Sequence, residues 1–185
     1  MKLLLHICCA PCSIMCIETL RGEGIEPVGF WDNPNIHPFT EFRMRRNTLV
    51  DYAKEIGLSL VVEGGYGLRP FLGAVGGDFD GRCPVCYRLR MRSAARYAAE
   101  NGFTHFTTTL LISPYQNHEL LAQTAREAAE ECGVTFLYRD FRPFFREGQD
   151  RARAMGLYMQ KYCGCIFSEE DRYRKRKKPP KKEEA

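Results

Sequence analysis

Five short apolar runs punctuate the chain: KLLLHI (2–7), PVGFWDN (27–33), LSLVVE (58–63), HFTTTLL (105–111) and VTFLYRDF (134–141). Each is followed, directly or after a loop, by a stretch with helical spacing. That alternation constrains the fold more than any other feature. Parallel strands need a crossover long enough to hold a helix, so strand–helix repetition builds a parallel sheet. The expected class is α/β: a five-stranded, mostly parallel sheet with helices on both faces and further helices at the C-terminal end.

The helices carry their own punctuation. Pro11 suits the first turn of a helix running to about Gly22. Phe39 to Ile56 places apolar side chains at helical intervals and meets Gly57 as a C-cap. Further helices are expected over Pro84–Asn101, Asn117–Cys132 and Gln149–Lys161, with Ser168 capping a last basic one. GGYGLRPFLGAVGGDFDG (64–81) is too long for a turn and reads as a functional loop. Residues 1–176 of the 185 are expected to form one domain, and 177–185 a basic, disordered tail.

In such sheets ligands bind beyond the carboxyl ends of the strands, near the point where strand order reverses. That rule gathers Cys8, Cys9, Asp32, Asn33, Glu63, Gly64 and Ser113 along one rim. Nine cysteines is a high and odd count. The opening MKLLLHICCAPC is too short in apolar residues for a secretory signal, and no run approaches the roughly 20 apolar residues that span a bilayer. A cytoplasmic protein is expected, and there clustered thiols serve as metal or redox groups.

Cys83-Pro84-Val85-Cys86 opens a helix, whose N-terminus favours thiolate charge. Joined with Cys8, Cys9 and Cys12 it offers up to five thiolates, enough for a zinc ion or an iron–sulfur cluster. A structural zinc knot is the plainer reading of that set. Cys9-Ala10-Pro11-Cys12 also looks like a thioredoxin-type dithiol, although Cys8 and the second CxxC then go unexplained. Cys163-Gly164-Cys165 can close into a tight, easily reduced disulfide, act as an electron relay or add ligands. Cys16 and Cys132 read as packed hydrophobes, and His6 and His105 as ordinary strand residues. His37 and His118 lie in loops where a substrate can be met. In ISPYQNH (112–118), Tyr115 offers a ring that can stack on a base and Gln116 a bidentate amide. No phosphate-cradling glycine loop occurs, which removes the main part of a nucleotide-hydrolysing site.

The formal charge of +4 is unevenly spread. FRMRR (42–46), YRLRMRSAAR (87–96) and YRKRKKPPKK (173–182) are basic clusters that point to a polyanionic partner, nucleic acid first.

Taken together, HICCAPC, the Asn33–Pro38 loop, CPVCYRLRM, LLISPYQ and YCGC resemble the QueH family of epoxyqueuosine reductases from about residue 3 to residue 168. The resemblance implies an adenine-nucleotide hydrolase-like topology shared with PP-loop enzymes, but the SGGxDS loop of those relatives is missing here. It implies reduction of epoxyqueuosine at the wobble position of tRNA, the last step of queuosine synthesis. The implied cofactors are an iron–sulfur cluster of the 4Fe–4S kind and an additional iron or other metal ion, without cobalamin. The implied partners are tRNA with queuosine-type anticodons and an electron-donor protein or reductant, with no membrane.

Carried onto this chain, the metal ligands are Cys8, Cys9, Cys83 and Cys86, with Cys12 as a fifth, and Cys163 with Cys165 is a redox pair. Asp32, Asp80 and Tyr115 are candidate proton donors. Asn33, Asn35, His37, Tyr87, Arg90, Ser113 and Gln116 are candidate substrate contacts. Three rivals remain at this point: a PP-loop-like iron–sulfur tRNA sulfur transferase, a non-catalytic zinc-stabilised RNA-binding protein, and a metal-free dithiol oxidoreductase.

Overall fold

The computed structural model describes residues 1–174; the 177–185 tail lies outside them. Five strands, β1 (Leu3–His6), β2 (Val28–Trp31), β3 (Leu60–Val62), β4 (His105–Thr108) and β5 (Thr135–Phe136), form one sheet in the order β3-β2-β1-β4-β5. Every neighbouring pair is parallel, with Leu5 opposite Gly29 on one side and Thr107 on the other. β1 is central and buried along its whole length, which is why LLLH reads as an unbroken run rather than an alternating one.

The helices are α1 (Ala10–Gly22), α2 (Phe39–Glu55), α3 (Leu68–Val75), α4 (Arg82–Glu100), α5 (His118–Cys132), α6 (Phe145–Ala154) and α7 (Ile166–Tyr173). The chain builds outward from β1 to β3, then crosses to β4 and β5. Right-handed crossovers therefore place the connecting helices of the two halves on opposite faces. α1 packs on α2 and α6, and α4 on α5 and α3. The reversal opens a crevice beyond the carboxyl ends of β1 and β4, lined by Cys8 after one strand and by Thr109, Leu110 and Ser113 after the other. Among the described residues no helix is long and apolar enough to cross a membrane.

Five sequence expectations shift. β4 stops at Thr108, whose hydroxyl accepts the Leu110 amide at 3.2 Å and turns Thr109–Ile112 into a 3₁₀ helix. β5 is short as well: it pairs only at Thr135 and Phe136, and its last bond, from Leu137 N–H to Phe106 O, falls two residues before β4 ends. The 64–81 connection is not all loop, since Leu68–Val75 forms α3 and buries Phe71 and Val75. The helix expected over 149–161 instead spans 145–154, and an irregular strap follows it. α7 is capped by the Cys165 sulfur, 3.4 Å from the Ser168 amide, rather than by Ser168.

Gly67, just before α3, touches the loop after β2. A Cβ there would lie 2.5 Å from Pro34 Cβ and 2.7 Å from Pro34 O. Gly67→Ala is expected to cost about 1–3 kcal/mol in urea denaturation, because the clash involves backbone. Gly73→Ala, inside α3 with nothing within 4 Å, should be neutral or stabilising.

Candidate metal centre

Cys8 and Cys9 leave the end of β1, and Cys9 is the extended N-cap of α1 with Pro11 in the first turn. Cys12 follows one turn later. Strand end and helix start thus bring the Sγ atoms of Cys8, Cys9 and Cys12 within 4.8 Å of one another. The Cys8 and Cys9 sulfurs are 3.8 Å apart. Thr109 Oγ1 donates to Cys8 Sγ at 3.4 Å, and Gln160 Nε2 donates to Cys9 Sγ at 2.9 Å and Cys12 Sγ at 3.4 Å. Hydrogen bonds from Cys12 and Cys9 hold the Cys8 thiol well below its usual pKa. The hydrogen bond to Cys8 pushes Cys12 up, and burial pushes Cys9 up. Within the triad, Cys8 is thus the thiol that its neighbours favour most for ionisation. Cys16 is buried beneath, donating to Cys12 O.

The second set of sulfurs lies at the start of α4 and before α7. Cys83 is exposed; Cys86 is buried with Cys165, Phe71 and Val75 in a small apolar cluster. Burial raises the Cys86 pKa to about 12. Cys163 is exposed, and its sulfur accepts from Gln116 Nε2 at 3.4 Å. All nine cysteines are free thiols, so the Cys163–Cys165 disulfide is not formed in this structure. Cys83 and Cys86 stand with the Cys163–Cys165 pair, and only Cys8, Cys9 and Cys12 stand within mutual reach of a single ion among the described residues. An all-sulfur donor set with a helix N-terminus behind it fits a thiophilic metal or cluster.

A cavity of about 570 Å³ opens between the two sets of sulfurs and is lined by some members of each. Cys8, Cys12 and Cys163 line it, together with Ser113, Tyr115, Gln116, Arg45 and Gln160. Tyr115 is 84 % exposed at the mouth, its ring edge-on to Phe145. Lys161, Arg153 and Arg172 add cations to the wall.

Several residues expected to meet a substrate instead hold the frame. His37 is fully buried: its Nε2 donates to Pro34 O at 3.0 Å and its Nδ1 accepts the Ile166 amide at 3.2 Å. Asn33, buried, donates to Ile7 O and accepts from Arg90 Nη2. Asn35 is also buried. The buried Tyr87 donates to Gln116 Oε1 at 2.8 Å and accepts the Asn117 amide, fixing the loop that carries Tyr115. Arg90 is 2 % exposed and cannot meet a phosphate from there. Asp32 accepts from Ser93 and lines a separate cavity of about 400 Å³ with Glu63 and Glu100. Asp80 is exposed in the turn before α4. His118 bonds Tyr138 at 2.9 Å.

Arg45 and the strap were missed from sequence. Arg45, buried in α2, bonds Glu41 at 2.7 Å, Cys163 O at 2.8 Å and Tyr162 O at 2.9 Å. His37 N–H bonds Gly164 O at 2.8 Å, and Tyr162 OH bonds His37 O at 2.6 Å. The signal was available in part: Arg45 lies three residues after Phe42 and four before Leu49, on the apolar side of the helix.

The family model for epoxyqueuosine reductase QueH matches residues 3–171. The epoxyqueuosine reductase QueH of Dehalococcoides mccartyi is 36 % identical over 178 residues, covering 96 % of this chain and 98 % of that protein. That of Thermotoga maritima is 33 % identical, covering 89 % and 88 %, and that of Histophilus somni 33 %, covering 92 % and 73 %. With the match running through the CCxxC turn, the CPVC helix and the YCGC strap alike, the chain belongs to the epoxyqueuosine reductase QueH family.

Proposed function

We propose that this chain reduces the epoxide of epoxyqueuosine in tRNA to the cyclopentene of queuosine, using an iron–sulfur centre and a nearby metal and no cobalamin. One observation supports this above the rest: thiols from the β1–α1 turn and from the Cys163–Cys165 strap open on one cavity with an exposed aromatic at its mouth. Epoxide removal takes two electrons and two protons, and releases the oxygen as water. A thiolate-bound cluster, when present, supplies electrons one at a time. Cys8, Cys9 and Cys12, with Cys83 and Cys86, are the residues proposed to hold it.

The chain's own residues prepare the rest. Tyr115 and Gln116 present a stacking face and an amide to the modified base, and Ser113 and Tyr115 bring hydroxyls to the cavity. Arg153, Lys161 and Arg172 offer phosphate-binding charge around it. Oxidation of the Cys163–Cys165 dithiol to a disulfide releases two electrons and two protons, which balances one turnover, and an external reductant restores it.

The reading is tested by anaerobic purification, iron, zinc and sulfide assays, and incubation with epoxyqueuosine-containing tRNA. Iron with labile sulfide and conversion to queuosine are expected. Stoichiometric zinc without sulfide, or no conversion by the reduced protein, overturns it. Cys163→Ser and Cys165→Ser are expected to keep iron and a single turnover from pre-reduced protein, while multiple turnover slows at least tenfold. Unchanged multiple turnover in both would make the pair bystanders.

A further inference from the structure

Two arginines are buried beside the thiols, and they are not equivalent. Arg45 has a carboxylate of its own, Glu41, at 2.7 Å. Arg90, equally buried at 2 % exposure, has none among the described residues. Its Nη2 donates to the neutral amide oxygen of Asn33 at 2.8 Å, its Nη1 lies 3.9 Å from Cys86 Sγ, and its Nε finds no partner. A guanidinium stays charged at any physiological pH. Holding one in the interior without an opposite charge is costly, so buried cations occur where an anion faces them. Among the described residues, the groups that bring negative charge to Arg90 most strongly are sulfurs: Cys86 at contact, then Cys8 and Cys163.

We infer that Arg90, one turn along the CPVC helix from Cys86, is the fixed counter-cation of the thiol centre, stabilising the centre's more negative, reduced state. The inference rests on the proposal that these thiols hold a redox metal centre. Each electron taken up adds a negative charge, and a cation at contact distance in a poorly hydrated site favours that uptake. Arg45 contributes less because Glu41 already neutralises it. Asn33 is then a positioning residue, since its amide bridges Ile7 O at the end of β1 to the Arg90 guanidinium and fixes the cation's place.

The test compares anaerobically loaded wild type with Arg90→Gln, Arg90→Met and Arg90→Lys by reductive titration followed in absorbance and electron paramagnetic resonance. Thermal unfolding of the metal-free forms is measured alongside. The midpoint potential is expected to move to more negative values in Arg90→Gln and Arg90→Met and to stay near wild type in Arg90→Lys. Loss of metal from the neutral variants that Arg90→Lys restores supports the inference equally. Metal-free Arg90→Met should unfold no earlier than metal-free wild type, because an unpaired buried charge has been removed.

Unchanged potential in loaded Arg90→Gln overturns the inference. So does a metal-free Arg90→Met that unfolds far below metal-free wild type, since that marks a structural part alone. A wild type that retains no metal at all overturns the proposed centre, and this inference falls with it.

Discussion

Cys9→Ala and Cys86→Ala are expected to lose bound iron and epoxide reduction together, while Cys132→Ala keeps both. Cys9 is buried inside the triad and takes the Gln160 amide on its sulfur at 2.9 Å, so its removal leaves an open and oxidation-prone position. Cys86 is the buried member of the CPVC pair and the sulfur closest to the unpaired Arg90. Cys132, half-buried at the end of α5, only packs, and its loss should cost about 1 kcal/mol of burial. Iron per chain and conversion of epoxyqueuosine-containing tRNA are the readouts. Iron retained in Cys86→Ala but lost in Cys9→Ala would confine the centre to Cys8, Cys9 and Cys12. Equal damage from all three substitutions would remove the residue assignment altogether.

Arg45→Met is expected to destabilise the fold by about 3–5 kcal/mol, because it strands one partner of a buried ion pair. Glu41, 8 % exposed, would keep only the Tyr158 hydroxyl, and the carbonyls of Tyr162 and Cys163 would lose their donors. Glu41→Gln added to Arg45→Met should recover part of the loss by removing the orphaned charge. Urea denaturation of the two variants against wild type reads the difference. Alkylation of the buried Cys165 in the native state should accelerate in Arg45→Met as its strap loosens. A single variant as stable as wild type would show that the pair contributes nothing net.

The parallel sheet was legible because periodicity and crossover length are local properties of the chain. So was the gathering of CCxxC and the ISPYQ segment at one rim, which follows from strand direction alone. What could not be read locally was the difference between a surface arginine and a buried one. FRMRR and YRLRMRSAAR look like uniform basic patches, yet Arg45 and Arg90 sit on the apolar sides of α2 and α4. Arg90 falls four residues after Cys86 and four before Ala94, a spacing that argues against solvent. His37 failed for another reason: the amide it accepts is that of Ile166, 129 residues away. The end of β4 was hidden because Thr108, Thr109 and the leucines after them are all acceptable strand residues. Only the side-chain cap at Thr108 breaks the run.

Around Cys163, the clamp on the strap grips main chain rather than the thiol. Arg45 holds the Tyr162 and Cys163 carbonyls, and the His37 amide holds the Gly164 carbonyl. None of these bonds depends on what the thiol at 163 is doing. The segment is therefore insulated from chemistry at its own sulfur: Cys163 can be oxidised, alkylated or exchanged for serine or selenocysteine while the backbone that presents it stays in register. A reactive group mounted in this way is a replaceable tip on a fixed holder.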